Sequence, residues 1–313
     1  MTSRSGSAVW PDSARLASVH DALLSWFRQG GRDLPWRRTR DPYAVLVSEI
    51  MLQQTQVDRV RPKYTEFLAA YPTLADLAAA PLGDVIRCWA PLGYNRRAVR
   101  LHAIARTVVQ RFGGRLPDQV EELYELDGLG KYTASAVACF AFERAVAVVE
   151  TNVRRVVSRL FADLLGDPPQ SRPSLEAFAA RLLPPGRAYE WNQALMDLGA
   201  TICTARAPAC IACPLAVQCS ARSLLASGAA RMAERRARYG DSPRFEQTRR
   251  YFRGRIVDRL RALGPAESVS LDELGGSLRP DFGPELGPWL VELVEGLRRD
   301  RLVVESRGRV RLP

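Results

Sequence analysis

The chain of 313 residues is almost without lysine and histidine. Lys63 and Lys131 are the only lysines, so 43 of the 45 basic residues are arginine; His20 and His102 are the only histidines. Two lysines leave few amines for Schiff-base chemistry. No stretch approaches the run of about 18 apolar residues that a membrane-spanning helix needs, which excludes that class. The first residues, Met1 to Ser7, are small and polar with no apolar stretch behind them. They read as a loose tail over residues 1–13 rather than a signal peptide, which places the protein in the cytoplasm. Hydrophobic residues at 47% and charged residues at 25% exclude wholesale disorder. At roughly 150 residues per domain, the length suggests two domains or one large domain with an appendage.

What is present is positive charge. Forty-five basic against 34 acidic residues give a net +11, which favours a polyanionic partner, most commonly a nucleic-acid backbone. Composition alone leaves RNA and a membrane surface open. The six cysteines are unevenly spread. Cys88 and Cys139 stand alone on apolar helical faces as inert core residues, whereas Cys203, Cys210, Cys213 and Cys219 follow a C-x6-C-x2-C-x5-C spacing. Four thiolates that close in a reducing compartment call for a metal rather than disulfides. Ligand count alone leaves zinc or a 4Fe–4S cluster, and the spacing, which is not that of a zinc finger or ribbon, favours iron–sulfur.

From Ala14 to about Ile202 the pattern is helical. Leu16, Val19, Leu23, Leu24 and Phe27 recur at helix spacing before Gly30-Gly31. Segments 43–53, 56–70, 95–112, 131–143, 151–164, 173–183 and 189–202 read likewise, so this body should be all-α. Residues 223–243, with Arg231, Arg235, Arg236 and Arg238, look like a linker helix. Beyond it, a helix near 245–263, a segment over 268–278 (Ser270 as N-cap) and a helix near 284–299 precede a short hairpin turning at Arg307-Gly308. That is the outline of a small winged-helix-like α+β domain over 244–313, equally suited to DNA or to a protein partner.

Three segments carry candidate chemistry. Leu126-Asp127-Gly128-Leu129-Gly130-Lys131-Tyr132-Thr133 lies between two helices, and its glycines permit a tight turn whose N–H groups can bind phosphate without sequence preference. Glu49 lies in the apolar run Val47 to Leu52, followed by the amides Gln53, Gln54 and Gln56. Burial there would keep its carboxyl protonated, as a general acid requires. Glu150, in Val149-Glu150-Thr151-Asn152, offers a second carboxylate or simply an acid favourably placed at a helix start.

Taken in chain order, these features resemble the helix–hairpin–helix DNA glycosylases. Leu34-Pro35-Trp36-Arg37, Glu49 to Val57, Trp191 to Gly199 and the cysteine loop look most like the MutY adenine glycosylases, over roughly residues 14–222. The resemblance implies an all-α fold of two helix–hairpin–helix modules with a 4Fe–4S loop at 203–219. It implies a monofunctional base-excision enzyme that flips a mispaired adenine (opposite guanine or 8-oxoguanine) from double-stranded DNA. Such a protein would act as a monomer, near the nucleoid. By the same resemblance, Glu49 protonates N7 of adenine and Glu150 stabilises the sugar cation. Trp36, Arg37, Tyr132, Asn152 and Gln193 line the base pocket. Gln53 wedges into the base stack beside Gln54, and Asn95, Gly128, Gly130 and Lys131 contact DNA. Cys203, Cys210, Cys213 and Cys219 hold the cluster. The chain departs from the family in three ways. Glu150 replaces an aspartate, Asn95 stands where many members have a second tyrosine, and the usual Nudix-like domain with its Phe-Ser-His reader is absent. Gly128 to Thr133 also resembles the mismatch thymine glycosylases, so thymine or uracil opposite guanine is an alternative substrate. A non-catalytic iron–sulfur DNA-binding protein is a second alternative.

Overall fold

A computed structural model describes residues 10–165, 172–226, 244–265 and 267–313. In chain order its α-helices are α1 (Ser13–Gly30), α2 (Pro42–Leu52), α3 (Val57–Ala70), α4 (Leu74–Ala79), α5 (Leu82–Cys88), α6 (Arg96–Phe112), α7 (Val120–Tyr124) and α8 (Lys131–Phe142). There follow α9 (Thr151–Leu160), α10 (Ala162–Leu165), α11 (Arg172–Arg181), α12 (Ala188–Thr201), α13 (Arg222–Ala226), α14 (Arg249–Arg261), α15 (Leu271–Leu278) and α16 (Gly287–Arg299). There are three short strands, β1 (Val269–Ser270), β2 (Val304–Ser306) and β3 (Arg309–Arg311), and 3-10 turns at Pro35–Arg37, Cys210–Ala212, Phe245–Gln247 and Pro284–Leu286. The helical body and small α+β C-terminal region are those expected from the sequence.

Two compact units divide the chain. The first comprises residues 1–42, 118–121 and 130–238; the second comprises 43–117, 122–129 and 239–313. In the first unit Asp12 caps α1 by accepting a hydrogen bond from the Arg15 N–H at 2.8 Å. Val19, Leu23 and Leu24 of α1 then bury against Val153, Val156, Val157 and Leu160 of α9 and Trp191, Leu195 and Leu198 of α12. The i, i+3, i+4, i+7 spacing on α9 is what gives that helix one apolar face. Residues 10–13 of the tail expected over 1–13 are ordered, and residues 1–9 lie outside the described residues. Trp10 packs on Phe178 at 4.7 Å between ring centroids, with the Arg181 guanidinium 3.9 Å from its ring, and Asp12 is the helix cap.

In the second unit α2 is buried on every side from Tyr43 to Met51. The C-terminal elements run helix, strand, helix, helix and two strands, with sheet order β1-β3-β2 and antiparallel pairing throughout. This is the winged-helix order. Arg307 and Gly308 both take positive φ at the β2–β3 turn, as a two-residue hairpin favours. Ser270 and Glu273 form a capping box at α15. Ile86 of α5 enters the core formed by Ile256, Leu260, Leu293, Leu297 and Val310, so α5 and the C-terminal elements share one hydrophobic cluster.

Other details differ from the sequence expectations. The helix expected over 151–164 ends at Leu160, where Phe161 leaves helical geometry before α10. The short helices α4, α5 and α7 and the two-residue β1 were not anticipated. The linker expected over 223–243, with its arginines from Arg231 to Arg238, lies outside the described residues from 227 onward.

Candidate active site and cysteine loop

The hairpin forms as the glycines suggest. The Leu129 N–H donates to the Leu126 carbonyl at 2.9 Å, and Gly128 has φ +96°, a conformation that costs a side-chain-bearing residue. Gly130 is the extended residue preceding α8. Tyr132 stands half-buried in the first turn of α8, and exposed Lys131 pairs with Glu176 at 2.8 Å.

Glu49 lies on α2 with only 6% of its surface exposed. Directly after this helix the chain turns through Gln53 and Gln54, the latter at φ +57°. That turn is held by Arg97, which no local sequence pattern marks. Its guanidinium, 5% exposed, donates to the carbonyls of Ile50 (3.2 Å), Met51 (2.7 Å) and Gln53, and to Thr55 Oγ1 (2.9 Å). It also reaches the Leu92 and Gly93 carbonyls. Burial lowers its pKa to about 10, so the group remains charged at neutral pH. Arg97 therefore caps the C-terminus of the helix carrying Glu49 and holds the turn at Gln53 and Thr55. Asn95, expected to meet DNA, accepts a hydrogen bond from Arg261 of α14 at 2.8 Å.

In the first unit Glu150 is the N-cap of α9. Its Oε1 accepts from the Val153 N–H at 3.0 Å and its Oε2 from Asn152 Nδ2 at 3.2 Å. The carboxylate therefore sits where the helix N-terminus favours negative charge. Asn152 Oδ1 in turn accepts from Arg155 at 2.6 Å, and Arg155 also binds the Gly199 carbonyl at 2.6 Å. Gly199 has no room for a side chain: an added Cβ would lie 2.6 Å from Asn152 Cβ. The segment leading into Glu150 is held by Asn192, 1% exposed, which accepts from the Val148 N–H and donates to the Val146 and Ala188 carbonyls at 2.8–2.9 Å. Its only sequence signal was an amide inside an apolar stretch. Gln193 next to it is buried, with 5% of its surface exposed.

Arg37 was expected to line the base pocket, yet its guanidinium is committed elsewhere. It makes two hydrogen bonds to Asp197, 2.9 and 2.7 Å, while Arg32 binds the same carboxylate. Asp197 is 1% exposed. Burial pushes its pKa up, but hydrogen bonds and charge from Arg37 and Arg32 outweigh it and hold the carboxyl below its usual value. Arg37 is thus chiefly a tether between the Leu34–Arg38 turn and α12; Trp36 beside it is buried at 7%.

The cysteine loop folds onto α9. The Arg155 Nε donates to the Cys203 carbonyl at 2.7 Å, and Arg159 reaches the Thr204 and Ala205 carbonyls and lies 3.6 Å from Cys203 Sγ. Cys203, Cys213 and Cys219 pack against the first unit's core. Burial, with the neighbouring Cys203, Cys219 and Cys210 thiols, pushes Cys213 up to about 11; Cys219 is raised for the same reasons. The described residues contain no three His, Cys, Asp or Glu side chains grouped to hold a metal ion. Four free thiols within one loop are the donor type that an iron–sulfur cluster takes. Cys139 is fully buried and burial raises its thiol to about 11, in keeping with an inert core residue; Cys88 is half-buried and raised likewise.

Residues 47–178 match the HhH-GPD superfamily of base excision DNA repair proteins. The chain is 41% identical over 294 residues to the adenine DNA glycosylase of Mycolicibacterium smegmatis, covering 93% of this chain and 97% of that protein. It is 44% identical over 238 residues to the adenine DNA glycosylase of Homo sapiens, covering 70% of this chain but only 43% of the human protein. Among solved structures, a thermostable thymine-DNA glycosylase superposes with a TM-score of 0.64 at 33% identity, over 67% of this chain and 98% of that one. On this likeness the chain belongs to the adenine DNA glycosylases of the HhH-GPD superfamily.

Proposed function

We propose that the chain is a monofunctional glycosylase of base excision repair that removes adenine mispaired with guanine or 8-oxoguanine. The support that carries this reading is the 41% identity spread across nearly the whole of the M. smegmatis adenine DNA glycosylase. Residues 14–222 form the glycosylase domain and 244–313 the winged-helix-like domain. The protein works as a monomer on double-stranded DNA in the cytoplasm, at the nucleoid. The target base leaves the stack before reaction, with Gln53 and Gln54 entering its place and the Gly128–Lys131 hairpin holding phosphate. Trp36, Tyr132, Asn152 and Gln193 border the extruded base.

Glu49, shielded from water on α2, gives its proton to N7 of adenine as the N-glycosidic bond breaks. The bond's electron pair leaves with the base. Glu150, held by the α9 N-terminus and Asn152, offsets the positive charge growing on the sugar. Water then adds at C1′, its proton returns to a carboxylate, and an abasic site remains. Tyr132 stands where lyase-competent relatives carry their lysine, and a phenol forms no imine, so the strand stays intact. Cys203, Cys210, Cys213 and Cys219 would hold a 4Fe–4S cluster, whose contribution when bound is to cross-link the loop that Arg155 and Arg159 tie to α9.

The likeness to a thymine-DNA glycosylase favours thymine or uracil opposite guanine as the second reading. A panel of duplexes carrying A·8-oxoguanine, A·G, T·G and U·G pairs separates the two. The proposal expects release from the adenine duplexes, seen as strand breaks only after alkali; release confined to T·G or U·G, or breaks without alkali, would contradict it.

A further inference from the structure

Within the second unit a groove of about 990 Å³ runs between the turn after α2, the start of α6 and α14. Eight arginines and two aspartates are its only charged lining residues. The aspartates are already shared: Asp300 with Arg96 and Arg253, Asp258 with Arg261. Arg59, Arg100, Arg250 and Arg255 have no acidic partner among the described residues, and all four are exposed. A surplus of that size in one concavity attracts a polyanion. Tyr94, 41% exposed, lies on the same lining, with the guanidinium of Arg250 4.3 Å and that of Arg97 5.3 Å from the centre of its ring. Ring and guanidinium together make a flat surface on which a base or sugar can rest.

The C-terminal region divides its charge unevenly. α14 carries six arginines against one aspartate. α16, the third helix and the one a winged helix ordinarily lays in the major groove, carries two glutamates and two arginines, and α15 has only acidic charges. Glu292 of α16 pairs with Arg249, and Glu295 with Arg298.

We propose that the C-terminal region binds DNA through its first helix, α14, and not through α16, by clamping a phosphodiester backbone in this groove. Gln53 and Gln54 lie on the same lining, directly after the helix that carries Glu49. A strand held by Arg250 and Arg255 therefore runs past the turn that enters the base stack. This rests on the reading of the chain as a DNA enzyme, but not on which base it removes.

The test uses the full-length protein and an undamaged duplex with no mispair, so it is independent of base excision. Each phosphate contact contributes about −0.9 to the slope of log K against log salt. Arg250→Glu with Arg255→Glu should flatten that slope by about two, and the loss of affinity between 50 and 200 mM salt should shrink by about 10-fold. Arg250→Lys with Arg255→Lys keeps the charge and should keep the slope. Arg298→Glu with Arg299→Glu, on α16, should leave it unchanged. A wild-type slope in the first variant, or its loss in the α16 variant, overturns the proposal. So does a flattened slope in the lysine variant, since phosphate attraction needs only charge. An enzyme with the expected slopes that released no adenine would sink the proposed function and leave this inference standing.

Discussion

Gly199→Ala tests whether the close approach of α12 to α9 places Glu150. An added Cβ meets Asn152 Cβ at 2.6 Å and the Asn152 carbonyl oxygen at 3.1 Å. Nonbonded carbons settle at about 3.5–4.0 Å, so the two helices must part by on the order of 1 Å. The contacted atoms are backbone and Cβ, which have no rotamer into which to escape. Overpacking of this kind costs about 1–3 kcal/mol, or about 2–12 °C in Tm for a chain of this size. The larger consequence is positional. Asn152 donates to Glu150 and is held by Arg155, which also binds the Gly199 carbonyl. Shifting it therefore moves the carboxylate, and an error of about 1 Å at a reacting group costs on the order of 100-fold in rate. Single-turnover base release, with duplex affinity measured in parallel, separates this from a binding defect. A variant with wild-type Tm and a rate within two-fold would refute the reasoning.

The buried Asp197 makes stability depend on acid. Its folded pKa lies below the unfolded value of about 3.9, so its contribution is complete above that value and is lost as pH falls through the folded one. Asp197→Asn should cost about 3–5 kcal/mol at pH 7, because Arg37 is left buried and unpaired, and should show a smaller further loss below pH 4; urea titrations at several pH values check both. Purified protein should contain about four irons per chain and no zinc, with Cys213→Ser losing the iron; stoichiometric zinc in metal analysis would contradict the assignment. Glu150→Asp shortens the acid by one methylene at an N-cap that aspartate also fills well, so base release should hold within about 10-fold while Glu150→Gln is severely impaired; a collapse in the aspartate variant would show a pocket shaped around the longer acid.

Long helices were legible because periodicity needs length. α2, α6, α9 and α12 each span about three turns or more, enough for a buried face to repeat, whereas α4, α5 and α7 run five to seven residues and never complete a second repeat. The Thr73–Asp76 capping box marks α4, but only in the local manner of any cap. β1 has two residues and exists because β3 is there to pair with it. The two carboxylates were readable as residue types in unusual company. Their supports were not. Arg97 caps a helix more than 40 positions earlier, Asn192 holds a segment 44–46 positions away, and Arg37 finds Asp197 at 160. Such partners are fixed by tertiary folding, so a surface-seeming arginine and a buried one look alike in sequence. Asn95 and Lys131 show the same limit: each has found a protein partner, Arg261 and Glu176, that no local pattern announces.

The most direct measurement of the central claim is single-turnover release of adenine by Glu49→Gln on an A·8-oxoguanine duplex, with duplex affinity determined on the same preparation. Glutamine fills the same volume on α2 but has no acidic proton. Base release should fall by at least about 10²–10⁴-fold while affinity stays within a few-fold, since no phosphate contact is removed. Release at the wild-type rate would contradict the account, and so would a loss of activity that only follows a loss of binding.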